Sequence, residues 1–197
     1  MPTVYFVIPC YNEEPVLNET TKRLTDKMNS MISKGLADDK SRILYVDDGS
    51  RDKTWQIISA LNDQNPMVEG IKLAHNRGHQ NAVLAGLMTA MDRCDCAISL
   101  DADLQDDTEV IDQFVEKFME GCDVVYGVRN KRETDTFFKR TTAVGFYKVM
   151  KLLGVDVVFN HADYRLMSRR AIEALSEYRE VNLFLRGIVP LIGYRSD

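Results

Sequence analysis

Asp101-Ala102-Asp103 is the stretch whose residue types most directly suggest chemistry. It closes the apolar run Cys96–Leu100. Strand alternation sends its two carboxylates to one side, with Ala102 opposite. Two hard oxygen donors suit Mg2+ or Mn2+ better than a soft metal, and such an ion keeps coordination positions for substrate phosphates. It would neutralise a departing diphosphate as a Lewis acid. Gln105 adds an amide oxygen or a hold on a metal-bound water. Asp-x-Asp also occurs in ordinary surface turns; its place at the end of a buried strand is what favours a metal. Asp47-Asp48-Gly49-Ser50 has two readings. It is a strand-ending turn, for which Asp-Gly is a common pair, or it presents a carboxylate to a nucleobase N–H. Ser50-Arg51-Asp52-Lys53 resembles a helix N-cap, which is compatible with both.

The elements that must position these groups follow from apolar patterning. Thr3–Ile8, Arg42–Val46, Gly70–Leu73, Cys96–Leu100 and Asp123–Val128 read as strands. Glu14–Lys34, Lys53–Leu61, Asn81–Met91 and a segment with Val110, Ile111, Phe114, Val115, Phe118 and Met119 on one face read as the helices between them. Five alternations predict an α/β fold, a mostly parallel sheet with helices on both faces. With no repeat, low-complexity tract or linker, residues 1–197 read as a single domain. After Val128 the alternation stops: Arg129–Asp135 reads as a loop, Phe137–Leu153 as a helix and Tyr164–Leu175 less clearly as another. Ligands of an open parallel sheet bind beyond the carboxyl ends of its strands. Tyr11-Asn12-Glu13-Glu14, Asp47–Thr54 and Asp101–Asp107 all fall there. Three acidic clusters at one edge would repel one another unless a cation sits among them.

Composition narrows the classes. Hydrophobic residues at 45% and charged residues at 28% are globular values and exclude disorder. A formal net charge of −5 disfavours nucleic acid. Apolar runs such as Ala82–Met88 are far too short to span a bilayer, and no signal segment opens the chain. Cys10, Cys94, Cys96 and Cys122 read as reduced, small buried hydrophobes. Trp55 and the methionines read as core, His75 and His161 as surface or packing residues, and His79 as structural. His79 and Gln80 open a helix, where free N–H groups favour an anion.

Taken in order, Val7-Ile8-Pro9-Cys10-Tyr11-Asn12-Glu13-Glu14, Val46-Asp47-Asp48-Gly49-Ser50-Arg51-Asp52-Lys53-Thr54, Asn76-Arg77-Gly78-His79-Gln80 with Ala85-Gly86, and Leu100-Asp101-Ala102-Asp103-Leu104-Gln105-Asp106 resemble the motifs of family 2 glycosyltransferases with a GT-A, Rossmann-like fold. Asp163-Tyr164-Arg165-Leu166-Met167-Ser168-Arg169-Arg170 and Phe184-Leu185-Arg186-Gly187 extend the likeness over nearly the whole chain. The subgroup it most resembles moves a sugar onto a polyprenyl phosphate, as dolichol-phosphate mannose synthases and bacterial undecaprenyl-phosphate glucosyltransferases do. The resemblance implies that Pro9, Tyr11, Glu13, Val46 and Asp48 surround the base and ribose of a nucleotide sugar. Asp101, Ala102 and Asp103 would meet its diphosphate, with Asp103 and Gln105 nearest a Mg2+ or Mn2+ ion. Arg129 would approach the sugar or phosphates, and Asp163 matches the carboxylate often proposed as catalytic base. His161-Ala162-Asp163-Tyr164 stands where Gly-Asp-Phe is more usual, which implies a differently shaped loop. UDP-glucose is the donor implied first and GDP-mannose second. Close relatives run on into amphipathic and membrane-spanning helices, so the chain reads as a soluble relative or a truncated catalytic portion at the cytoplasmic face of the cell membrane. A homo-oligomer is compatible with it.

Charge is unevenly spread. Arg129–Lys151 holds seven basic and two acidic residues, a local balance of +5 that leaves −10 for the remainder. On a helix Arg140, Lys148 and Lys151 fall within roughly 80° of one another, interleaved with Phe137, Phe138, Phe146 and Tyr147. This is a solvated cationic face or a surface for anionic lipid headgroups and a lipid-linked phosphate. Arg129, Arg140 and Arg186 are the expected acceptor-phosphate contacts, and Arg165, Arg169 and Arg170 join the same cationic surface. An alcohol acceptor needs a general base. A phosphate monoester, with a second pKa of about 6, is already mostly a dianion and can displace a nucleoside diphosphate with inversion. Asp163 would then orient rather than deprotonate. Transfer to a sugar or protein hydroxyl, and a non-catalytic nucleotide-sugar or lipid-phosphate binding module, are the competing readings.

Overall fold

A computed structural model describes residues 1–103, 105–128, 161–178 and 184–197. The predicted helix over Phe137–Leu153 and the expected contacts Arg129 and Arg140 lie outside them. Six strands form one sheet: β1 (Val4–Cys10), β2 (Arg42–Asp47), β3 (Val68–Lys72), β4 (Cys96–Ser99), β5 (Val124–Val128) and β6 (His161–Ser168). Their order is β3-β2-β1-β4-β6-β5. β1 pairs in parallel with β2 and β4, and β2 with β3. β6 runs antiparallel to both β4 and β5. Chain order reverses across the β1–β4 boundary, the crevice where open α/β sheets take their ligands.

Alternate strand residues supply two cores. Val4, Phe6, Ile8, Tyr45, Ile98 and Leu166 pack on one face with Leu17, Leu24 and Met28 of α1 (Leu17–Ser33), Ile58 of α2 (Thr54–Gln64) and Ile111, Phe114 and Val115 of α4 (Ile111–Met119). Tyr5, Val7, Leu44, Val46 and Met167 pack on the other with Val83 and Leu87 of α3 (His79–Ala90), Ile172 of α5 (Arg169–Ser176) and Ile188 of α6 (Leu185–Leu191). A Cβ on Gly86 would lie 2.4 Å from Val7 Cγ1, so glycine sets how closely α3 approaches β1.

β1 continues through Pro9 to Cys10, two residues past its expected end. The Cys10 carbonyl accepts from the Asp48 N–H at 2.8 Å and the Val7 carbonyl from the Leu100 N–H at 3.2 Å. Pro9 shares Val7's side, facing β4, whose pairing with β1 stops at Ser99. The missing N–H therefore costs no ladder bond.

Four expectations need correction. Tyr164–Leu175 is not one helix. It is strand through Ser168, whose hydroxyl accepts from the Ala171 N–H at 3.2 Å and caps α5. Arg165 does not join a cationic surface: at 1% exposure it lies inside the sheet's packing. Arg169 and Arg170 follow β6 at the opposite edge from the acidic loops, where they pair with Asp95 and Asp123. Met1 (78% exposed) and Met119 (58%) are outside the core, whereas Met28, Met31 and Met167 are buried in it. All four cysteines are buried and free, as their composition predicted. No helix among the described residues is long and apolar enough to cross a membrane.

Candidate active site

Two loops at the carboxyl edge are stitched to each other by backbone amides. Asn12, in the left-handed region at φ 58°, donates its N–H to Ser50 Oγ at 2.9 Å, and its Oδ1 accepts from the Arg51 N–H at 2.9 Å. The Glu13 N–H donates to Thr54 Oγ1 at 2.8 Å, the Glu14 N–H to Asp52 Oδ2 at 3.2 Å and the Lys53 N–H to Glu14 Oε2 at 3.1 Å. The carboxylates of Glu14 and Asp52 are thus engaged by peptide N–H groups. Asp52 Oδ1, not Ser50, accepts from Thr54 N–H at the start of α2.

The turn reading of Asp47-Asp48 falls to Asp47. Asp47 Oδ1 accepts from the Ser50 N–H three residues on at 3.0 Å and so closes the turn. Asp48, 2% exposed, turns to the other face. Its two oxygens accept from the Arg77 and Gly78 N–H groups at 2.7 and 2.9 Å, holding the loop before α3. Gly49 permits this crossing. Its φ is +69°, and a Cβ there would stand 2.7 Å from the backbone of His75 and Asn76.

Between these loops and the end of β4 lies a cavity of about 260 Å³, lined by Pro9, Tyr11, Glu13, Asp48, Gly78, His79, Asp101, Ala102 and Asp103, among others. Ala102 is buried, its carbonyl accepting from Thr20 Oγ1 at 2.6 Å, while Asp101 and Asp103 turn toward the cavity. Burial pushes the Asp101 carboxyl above its ordinary range, Asp106, Asp103 and Asp163 push the same way, and His79 opposes them. Burial likewise raises Glu13, reinforced by Asp103 and Asp101. Anionic oxygens that disfavour one another's charge at the mouth of one cavity form a donor set suited to a hard divalent cation. No three His, Cys, Asp or Glu side chains among the described residues converge enough to hold a metal alone.

Val46 and Gln105 do not line this cavity. Val46 packs in the core beneath Gly86, and Gln105 is exposed, its N–H donating to Asp103 Oδ1 at 3.1 Å. Asp163 is brought to the cavity's edge by β6, where the Ser99 hydroxyl holds its carbonyl at 2.6 Å. Its carboxylate accepts from Arg165 Nη2 at 2.6 Å, Arg186 Nε and Nη2 at 3.2 and 3.1 Å, and Gln80 Nε2 at 3.0 Å. His79 Nε2 stands 3.3 Å from Asp163 Oδ2 and 3.9 Å from Asp101 Oδ1. Burial alone would raise the Asp163 carboxyl. The His79 hydrogen bond and the two guanidiniums override it and hold the group well below the usual carboxylate range. His79 is raised in turn, chiefly by Asp163. The sequence reading gave His79 and Gln80 only a helix-start preference for an anion and Arg165 only a place on a cationic surface, and linked none of them to Asp163. The available signal was strand alternation, which puts Asp163 and Arg165 on one face once 161–168 is read as β rather than α.

The family model "Glycosyl transferase family 2" matches residues 5–176. The chain belongs to that family. It is 55% identical over 195 residues to uncharacterized glycosyltransferase YkoT of Bacillus subtilis, covering 99% of this chain and 58% of that protein. It is 35% identical over 198 residues to the prophage bactoprenol glucosyl transferase homolog of Escherichia coli, covering 98% of this chain and 61% of the relative. The chain thus spans about three-fifths of the length of these curated relatives. Among solved structures it resembles the mannosyltransferase PcManGT of Pyrobaculum calidifontis in complex with GDP-Man and Mn2+. The TM-score is 0.66 at 20% identity, over 99% of this chain and 54% of that one. It also resembles glucosyl-3-phosphoglycerate synthase of Mycobacterium tuberculosis in complex with Mn2+, UDP and phosphoglyceric acid. There the TM-score is 0.58 at 19% identity, over 86% of this chain and 57% of that one. These likenesses establish the GT-A fold of the family 2 chain.

Proposed function

We propose that this family 2 chain transfers a hexose, with glucose the first choice, from a UDP-sugar to the phosphate of a polyprenyl phosphate with inversion at the anomeric carbon. The observation that carries the reading is the state of Asp163. A general base works best with a pKa near the operating pH. Asp163 is instead held ionised and hydrogen-bonded by Arg165, Arg186, Gln80 and His79, which makes it a weak base. An acceptor that arrives as a dianion needs no proton removed. Bactoprenol glucosyl transferase, the name of several relatives, supports a lipid-linked phosphate as that acceptor.

The residues divide the work. Pro9, Tyr11, Glu13 and Asp48 enclose the nucleoside side of the cavity, and Asp101 and Asp103 with Gln105 nearby would carry Mg2+ or Mn2+. Such an ion supplies Lewis-acid stabilisation of the departing diphosphate. Asp163 fixes the Arg186 guanidinium, 41% exposed, where it can align an incoming phosphate. Arg129 and Arg140, outside the described residues, are assigned to the same acceptor phosphate. A lipid-linked acceptor would place the reaction at the cytoplasmic face of the membrane.

The test is turnover of UDP-glucose, UDP-GlcNAc and GDP-mannose with a short polyprenyl phosphate and Mn2+, with product anomers read by NMR. A β-linked glucosyl phosphate from UDP-glucose is the expected product. Transfer only to sugar or protein hydroxyls, or nucleotide-sugar binding without any turnover, would overturn the reading.

A further inference from the structure

Gln80 stands between the two halves of the site. Its Nε2 donates to Asp163 Oδ2 at 3.0 Å, and its Oε1 accepts from the Leu185 N–H at 3.1 Å. Asp163 lies on β6, Leu185 opens α6 and Gln80 lies in the first turn of α3, so one amide ties three elements. Arg165 makes a second tie along the same line. Its Nη2 donates to Asp163 Oδ1 at 2.6 Å and its Nη1 lies 3.5 Å from the Leu185 carbonyl. The next residue is Arg186, whose guanidinium rests on both Asp163 oxygens. On the other side Gly78 and His79, adjoining Gln80, line the donor cavity.

We propose that Gln80 is a positioning residue that sets Arg186 against Asp163 by holding the first turn of α6. The Leu185 N–H is among the helix-start amides that have no intrahelical acceptor, and Gln80 supplies one. The same side chain must donate to Asp163. The amide does both; a carboxylate of the same length loses the donor and an aliphatic chain loses both. A phosphate-aligning guanidinium gains from this because its conformational freedom is removed before the acceptor arrives. Arg165 bonds to Asp163 and the Leu185 carbonyl independently of Gln80, so a Gln80 change is expected to loosen the first turn of α6 rather than the fold.

The acceptor part of this inference rests on the polyprenyl-phosphate reading; the positioning part does not. Gln80→Leu and Gln80→Glu are compared with wild type in steady-state kinetics and in amide hydrogen exchange. Gln80→Leu should raise the acceptor KM about tenfold, equivalent to ~1.4 kcal/mol, with the donor KM unchanged. Exchange at Leu185, Arg186 and Gly187 should quicken while the body of α3 keeps its protection. Gln80→Glu, which retains an acceptor for the Leu185 N–H, should leave that exchange near wild type and still raise the acceptor KM. Equal rises in donor and acceptor KM, or unchanged exchange at Leu185–Gly187 in Gln80→Leu, would overturn the inference. If wild type turns over no polyprenyl phosphate while the exchange behaves as stated, the acceptor assignment fails and the positioning of Arg186 stands.

Discussion

Replacing Asp163 with Asn removes one negative charge from a carboxylate that faces two guanidiniums and a histidine. The Arg186 side is 41% exposed, so that pair contributes at most about 1 kcal/mol. Arg165 differs: it is 1% exposed and its Nη2 lies 2.6 Å from Asp163 Oδ1. Stripping a buried charge of its counter-charge costs about 3–5 kcal/mol. A chain of this size loses about 2–4 °C of Tm per kcal/mol, so Asp163→Asn should melt roughly 6–20 °C below wild type. The sign with pH follows from the direction of the shift. The folded pKa of Asp163 lies below its unfolded value. Its contribution is therefore complete above an unfolded carboxyl pKa of about 3.9 and is lost as pH falls through the folded value. Calorimetry at pH 7 should show the full gap between wild type and variant, and a narrowing gap toward pH 3. The accompanying pH–rate profile should scale down without changing shape. A melting temperature equal to wild type at pH 7 would refute the electrostatic reasoning. Loss of a wild-type limb assigned to deprotonation would show that Asp163 is a base after all.

Other outcomes follow from the same geometry. Asp48→Asn turns a carboxylate that accepts from two backbone N–H groups into an amide that can oppose one of them. It should cost about 2 kcal/mol in urea unfolding and weaken UDP binding by calorimetry, because the Arg77–Gly78 loop borders the cavity. Gly49→Ala places a Cβ against the His75–Asn76 backbone at positive φ and should destabilise by at least about 1 kcal/mol, read from the same unfolding curves. His79 has a raised pKa through Asp163, so its contribution to stability is complete below its unfolded value of about 6.5 and is lost as pH climbs through the folded value. His79→Gln should flatten the fall in Tm between pH 6 and pH 9, taken as about the range of histidine titration.

The parts of the fold legible in the sequence are those where one signal dominates. β1, β2 and β4 are apolar runs that end in polar clusters, so their carboxyl ends and the Asp101–Asp103 edge could be located from residue order alone. The face of α1 was readable because Leu17, Leu24, Met28 and Met31 recur at helical spacing and all are buried. β6 was not readable. Asp163 and Arg165 interrupt its apolar pattern, and the helix-forming Arg169–Ser176 follows without a turn. A buried arginine in a central strand makes sense only beside its carboxylate partner. That error hid the His79–Gln80–Asp163–Arg165–Arg186 cluster, which exists because β6 inserts antiparallel between β4 and β5 and returns distant residues to the start of α3. The acidic loops were read correctly as an edge feature, but the peptide N–H groups that engage Glu14, Asp47, Asp48 and Asp52 are not visible in residue composition.

The central claim is that a divalent cation is held at Asp101 and Asp103 together with a nucleotide diphosphate. Electron paramagnetic resonance of a Mn2+ titration, with and without UDP, measures this directly. Wild type should bind one Mn2+ tightly only when UDP is present, and Asp101→Asn with Asp103→Asn should abolish that binding while the melting temperature stays near wild type. Equal Mn2+ affinity in wild type and the double variant, or Mn2+ binding indifferent to UDP, would contradict the account.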